Sequence, residues 1–117
     1  MPGRLTTHVL DTARGRPAAG MSIELFRLDG GSRLSLKTVK TNADGRTDEP
    51  LLEGDEMYIG TYEIVFGVGE FFAGWEGVSD PPFLGRVPVR FAVADPSAHY
   101  HVPLLISPWS YGTYRGS

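Results

Sequence analysis

Apolar and polar residues alternate with a period of two through much of this chain. Over residues 4–10, Leu5, Thr7 and Val9 share one face while Thr6, His8 and Leu10 share the other, which is the repeat of a half-buried strand. Residues 11–20 are loop chemistry, rich in Gly, Pro and Asp. Alternation returns over 21–28, where Ile23 and Leu25 oppose Glu24, Phe26 and Leu28. Asp29-Gly30-Gly31 then predicts a tight hairpin, because paired glycines accept the backbone angles such a turn needs. The next strand is predicted over 34–41, with Leu34, Leu36, Thr38 and Lys40 on one face. Asn42-Ala43-Asp44-Gly45 predicts a turn that delivers Arg46.

Residues 58–68 are dense in β-formers and predict a central strand. Residues 69–75 break the alternation and predict a helix of one or two turns. The stretch 76–85, with Pro81-Pro82, reads as irregular. A strand follows over 87–93, and Pro88 places it at an edge or makes Pro88 its beginning. Residues 99–107 form another strand, and Ser107-Pro108 turns into a last one at about 109–116. Seven or eight short strands with at most one helix predict an antiparallel β-sandwich. No repeat, low-complexity segment or composition shift divides the chain, so residues 1–117 are expected to form a single domain.

One strand departs from the simple pattern. Val102, Leu104 and Ile106 form an ordinary core face, yet His101, Pro103, Leu105 and Ser107 opposite them are too apolar for a plain solvent face. A strand apolar on both sides needs cover on both sides. In so short a chain, a second subunit is the natural cover.

Composition narrows the chemistry. With 14 acidic against 11 basic residues the formal charge is −3, so nothing points to nucleic acid or an anionic membrane as a partner. The absence of Cys excludes disulfides, thiol nucleophiles and cysteine metal sites, and fits a reducing compartment. No apolar run resembles a signal peptide or a membrane span, so a soluble, cytoplasmic protein is expected. There is no P-loop, no HExxH, no complete dinucleotide-binding glycine motif and no Gly-x-Ser-x-Gly. Asn42-x-Asp44-Gly45 copies the middle of a calcium loop, but Lys40 and Leu51 stand where carboxylates should be.

The histidines are His8, His99 and His101. Two residues apart on a strand, His99 and His101 project from one face, which is metal-ligand spacing if His8 joins them. Histidine is equally suited to proton transfer near neutral pH. Hydrolysis of an acyl-type bond without Cys, metal or a serine elbow needs a histidine and a cation for the developing oxyanion, and Arg46 could supply that cation. Spacing alone leaves these readings, and a solvated Arg46, open.

Larger segments resemble a known family. Leu5-Thr6-Thr7-His8-Val9-Leu10-Asp11-Thr12, Gly15-Arg16-Pro17-Ala18, Thr41-Asn42-Ala43-Asp44-Gly45-Arg46, the run from His99 to Pro108 and the terminal Tyr114-Arg115-Gly116-Ser117 resemble the 5-hydroxyisourate hydrolases, the enzyme branch of the transthyretin-like family. The resemblance implies a transthyretin-like fold: two four-stranded antiparallel sheets and a short helix after the fifth strand. It implies a homotetramer, a dimer of dimers with the sites at the dimer–dimer interface, where Pro103 and Leu105 would lie beside His101. The implied activity is hydrolysis of 5-hydroxyisourate in urate degradation, with no cofactor and no metal. By position, His8 and Arg46 would activate the attacking water, and His101 would donate a proton to the opening ring nitrogen. Tyr114 and Ser117 would belong to a terminus that helps bind substrate, with Tyr114's face unsettled by the pattern. His99 receives no catalytic role. The competing readings are a transthyretin-like carrier of a small aromatic ligand, a three-histidine metal protein and an adhesion sandwich.

Overall fold

The computed structural model describes residues 2–116. Two sheets face each other. One holds β3 (Ser22–Asp29), β4 (Ser32–Lys40), β6 (Gly60–Gly67) and β7 (Arg86–Val93) in the order β4-β3-β6-β7, antiparallel throughout. The other is built on β1 (Arg4–Asp11) and β8 (His99–Ile106), with β9 (Tyr111–Thr113) beyond β8 and the two-residue strands β2 (Arg16–Pro17) and β5 (Leu52–Glu53) both on the far edge of β1. A short helix, α1 (Val68–Phe71), follows β6 directly, one residue before the break in alternation suggested. Among the described residues no helix is long and apolar enough to cross a membrane.

The core lies between the sheets. Leu5 and Val9 from β1, Ile23 and Leu25 from β3, Tyr62, Ile64 and Phe66 from β6, and Leu104 and Ile106 from β8 are all fully enclosed. Each such side chain contributes roughly 1.5–3 kcal/mol on burial, so the alternation fixes which face of each strand turns inward. The Gly30-Gly31 hairpin forms as expected, with Asp29 opposite Ser32 and Gly30 at φ 61°. Pro88 does sit on an edge strand, β7, which pairs on one side only with β6.

Two expectations change. Leu34, Leu36, Thr38 and Lys40 do not share a face along β4. Leu25 pairs with Lys37 but Phe26 pairs with Ser35, so Leu36 is an extra residue in a bulge. The bulge resets the alternation: Leu36 and Val39 pack on the core while Leu34 is 58% exposed. Second, the sheet carrying the histidines is not wholly antiparallel. β1 and β8 run parallel over their full lengths, from Arg4 opposite His99 to Asp11 opposite Ile106. Strands so far apart in the chain need no tight turn between them, so nothing local dictates their direction.

Candidate active site

The parallel pairing assembles the site. On the outer face of β1 stand Arg4, Thr6, His8 and Leu10, beside His99, His101, Pro103 and Leu105 of β8, with Thr6 paired to His101 and His8 to Pro103. Thr6, His8, His99 and His101 are all half-buried. Pro103 is already buried within one chain, whereas Leu10 and Leu105 keep part of their surface open.

Arg46 is brought to this face by the turn before it. Residues 41–53 run back along the free edge of β1. Gly45 O accepts from Val9 N at 2.8 Å, Leu5 O accepts from Leu51 N at 2.8 Å, and His8 and Arg46 form a bridge between these contacts. Asn42 closes the turn: its Oδ1 accepts from the amides of Asp44 (2.9 Å) and Arg46 (3.1 Å), and its own amide donates to Arg46 O at 2.7 Å. Gly45 is required by geometry. Its φ is +76°, and a Cβ there would lie 2.4 Å from Val9 O. Thr41, buried at the start of the turn, donates to Ala18 O and accepts from Met21 N, tying the segment to the core.

Arg46, Thr6, His99 and His101 line a cleft of about 430 Å³, which Asp48 and Glu49 also border. Among the described residues neither Arg4 nor Arg46 has a carboxylate ion-pair partner. A larger cleft of about 590 Å³ lies beside α1, but its Arg14 is committed to Asp11 at 2.7 Å and stacks 3.7 Å over Trp75.

The protonation of His8 is legible from its partner. Its Nε2 lies 2.8 Å from Asp44 O, which only accepts. Nε2 therefore carries the hydrogen, and in the neutral ring Nδ1 holds the lone pair. His101 Nδ1 lies 2.8 Å from Thr6 Oγ1, and His99 Nε2 lies 2.9 Å from the same oxygen. Desolvation, reinforced by Arg46 and the other two histidines, pushes His101 below the usual histidine range. Desolvation and then Arg4 do the same to His99. A neutral His101 keeps one N–H and one lone pair, so it can serve as donor or acceptor.

The C-terminal segment reaches the same place. Gly116 N donates to His101 O at 2.7 Å, and a Cβ on Gly116 would lie 2.6 Å from His101 Cδ2, so only glycine lets the terminus lie flat on the ring. Ser117 lies outside the described residues. Tyr114 is not brought to the histidines: it borders a separate cleft with Phe91 and Tyr100 at the sandwich edge, where Arg115 stacks 4.2 Å over Tyr100. The three histidines do not converge as a metal site; among the described residues no group of three His, Asp or Glu side chains is placed to hold an ion.

Thr6 is the residue that sequence reasoning missed. A threonine on the outer face of a strand is unremarkable, and only the register that sets it opposite His101 reveals its contacts.

Known proteins resemble this chain over nearly its whole length. The model of the HIUase/Transthyretin family matches residues 5–116. A 5-hydroxyisourate hydrolase 2 of Rhizobium meliloti is 59% identical over 117 residues, covering 98% of this chain and 97% of that protein. Among solved structures, an (S)-allantoin synthase superposes with a TM-score of 0.92 at 48% identity, covering 99% of this chain and 44% of that one. Sea bream transthyretin in complex with thyroxine superposes with a TM-score of 0.85 at 26% identity, covering 97% of this chain and 94% of that one. The sandwich, the Asn-Ala-Asp-Gly-Arg turn and the histidine face all fall within the matched span, and the chain belongs to the HIUase/Transthyretin family.

Proposed function

We propose that the His8–Arg46–His101 face is where this chain performs its reaction. The activity is hydrolysis of 5-hydroxyisourate in urate degradation, supported by the near-full-length match to a hydrolase of that substrate. The observation that carries the site is the bridge between His8 and Arg46 on the same face as His101. In this reading His8 Nδ1 takes a proton from water as its oxygen attacks the ring carbonyl. The Arg46 guanidinium holds the oxyanion that forms. As the C–N bond breaks, His101 gives a proton to the departing ring nitrogen, and the product is 2-oxo-4-hydroxy-4-carboxy-5-ureidoimidazoline. The residues named supply acid, base and cation without drawing on a metal or an organic cofactor.

Ser117 follows Gly116, which is docked on His101, and we assign it to substrate binding. Tyr114 contributes by bracing that terminus against β7 and β8. We further propose a homotetramer, a dimer of dimers whose dimer–dimer interface covers this face. The half-open Leu10 and Leu105 beside the histidines support that cover.

The test is absorbance decay of 5-hydroxyisourate generated by urate oxidase, in chelator, with size-exclusion mass measurement alongside. Acceleration that persists in chelator and disappears in His8→Ala supports the reading. No acceleration by a folded tetramer would favour a ligand carrier, and a chelator-sensitive rate would revive a histidine metal site.

A further inference from the structure

Thr6 carries a single hydroxyl hydrogen but faces two imidazole nitrogens, His101 Nδ1 at 2.8 Å and His99 Nε2 at 2.9 Å. It can donate to only one of them, and the other ring must then present its own N–H to the oxygen. The tautomers of the two neutral histidines are therefore coupled. If Thr6 donates to His101, then His99 is protonated on Nε2 and His101 on Nε2. If Thr6 donates to His99, both rings carry the hydrogen on Nδ1.

The choice matters because Nδ1 of His101 is occupied by Thr6 and Cδ2 lies against Gly116. Nε2 is the ring nitrogen left for a ligand. A proton donor at that position needs its hydrogen there, so the inference rests on the hydrolase reading of the same cleft. His99 accommodates this arrangement without cost, because it is half-exposed and water can serve its Nδ1.

We propose that Thr6 and His99 are positioning residues: a directional chain from His99 Nε2–H to Thr6 Oγ1, and from Thr6 Oγ1–H to His101 Nδ1, holds the hydrogen of neutral His101 on Nε2. Both residues border the cleft, and the role assigned to them acts through the His101 ring. Their effect is to remove the inactive tautomer, and the hydrogen bond donated to Nδ1 also favours the neutral ring over the imidazolium.

The experiment uses the whole chain with ¹⁵N-labelled histidine, comparing wild type, Thr6→Ser, Thr6→Val and His99→Phe. Imidazole ¹⁵N shifts and long-range ¹H–¹⁵N correlations report the tautomer of each ring without needing turnover. His101 is expected as the Nε2–H form in wild type and Thr6→Ser, and as a mixture in Thr6→Val, with His99→Phe between them. In Thr6→Val, kcat should fall about fivefold to tenfold, the scale of one net hydrogen bond, with KM little changed. The acid limb of the pH profile should move to higher pH. The charged groups around the ring, Arg4 and His8 on β1, Arg46, Asp48 and Glu49 from residues 41–50, His99 on β8 and Arg115 from the terminus, are the same in that variant. The shift would therefore report the hydroxyl.

Finding wild-type His101 protonated on Nδ1, or the same tautomer in Thr6→Val as in wild type, overturns the proposal. A Thr6-dependent tautomer in a protein that leaves 5-hydroxyisourate untouched would keep the chain of hydrogen bonds and remove only the hydrolase reading.

Discussion

The two sheets carry charge on their outer faces in different ways. Two carboxylates on β3 and β6, Glu24 and Glu63, are met by arginines of β4 and β7. Glu24 accepts from Arg86 at 2.9 Å and from Ser35 at 2.9 Å, and Glu63, only 5% exposed, is clasped by Arg33 and Arg90. Arg33 also lies 4.2 Å over the Phe26 ring, which helps bury an aromatic residue on an outward position. That face neutralises itself. On the face of β1 and β8, Arg4, His99 and His101 share a cleft with Arg46, which bridges to His8, and among the described residues no carboxylate pairs with either arginine. A charged strand face is ordinary when its ions answer one another, and it suggests chemistry when they do not.

The sharpest way to break that contrast is to remove one charge from each face. Arg46→Ala and His101→Ala should each lower turnover of 5-hydroxyisourate about a hundredfold or more, the scale of losing an oxyanion partner or a proton-transfer group. Their far-ultraviolet circular dichroism should be unchanged. Glu63→Gln should keep turnover per folded molecule near wild type. Equal losses from both faces would show that activity tracks general stability, and the contrast would fail.

A second substitution separates the presence of Arg46 from its placement. Gly45→Ala keeps the guanidinium but forces an alanine to φ +76° with its Cβ 2.4 Å from Val9 O. The left-handed backbone alone costs roughly 1–2 kcal/mol, and the clash adds to it. Chemical denaturation should show a loss of about 2 kcal/mol or more, and turnover should fall about tenfold as Arg46 leaves its bridge to His8. A stable and fully active Gly45→Ala would mean that the turn does not set the position of Arg46.

Those two residues also show what the sequence could carry. Period-two alternation located the core faces of β1, β3 and β8 because burial of Leu5, Ile23 and Leu104 is what selects a strand's register. It failed in β4, where one inserted residue at Leu36 reverses the faces and leaves no compositional trace. The Asn-Ala-Asp-Gly turn was legible because Asn and Gly have local reasons to be there, and Arg46 came with it. The clustering of His8, Arg46 and His101 was available only through family resemblance, since the parallel β1–β8 pairing joins residues over ninety apart without local cause. Thr6 had neither signal. The orientation of Tyr114 was equally hidden, because the glycines around it carry no polarity.

On the self-neutralised face the expected effects are on stability. Glu63→Gln keeps the shape but exchanges charge-assisted hydrogen bonds to two arginines for neutral ones. Because Arg33 and Arg90 remain largely in water, they are not left stranded when the carboxylate goes. A loss of about 1–2 kcal/mol is expected in urea denaturation. A loss near zero would place Glu63 with the exposed ion pairs, whose contributions are small.

The smallest effect concerns pH, and it distinguishes the faces by where stability is lost. His99 and His101 are held below the ordinary histidine value of 6.5 in the folded chain, first by desolvation and then by neighbouring cations. Above pH 6.5 both folded and unfolded chains keep these rings neutral, so they cost nothing. As pH falls below 6.5 the unfolded chain takes up protons that the folded chain resists, and stability declines until the folded rings titrate as well. On the other face Glu24 is held below its ordinary 4.5, first by Ser35 and then by Arg86, so its contribution is present above 4.5 and fades only at lower pH. Urea midpoints measured across this range should therefore begin to fall below pH 6.5. Replacing His99 and His101 together with Gln should flatten that first decline, while Glu24→Gln should change only the more acid part of the curve. Both histidines are partly open to solvent, so screening keeps the effect modest. A first decline unaffected by the double replacement would remove these two imidazoles as the feature that sets the two faces apart.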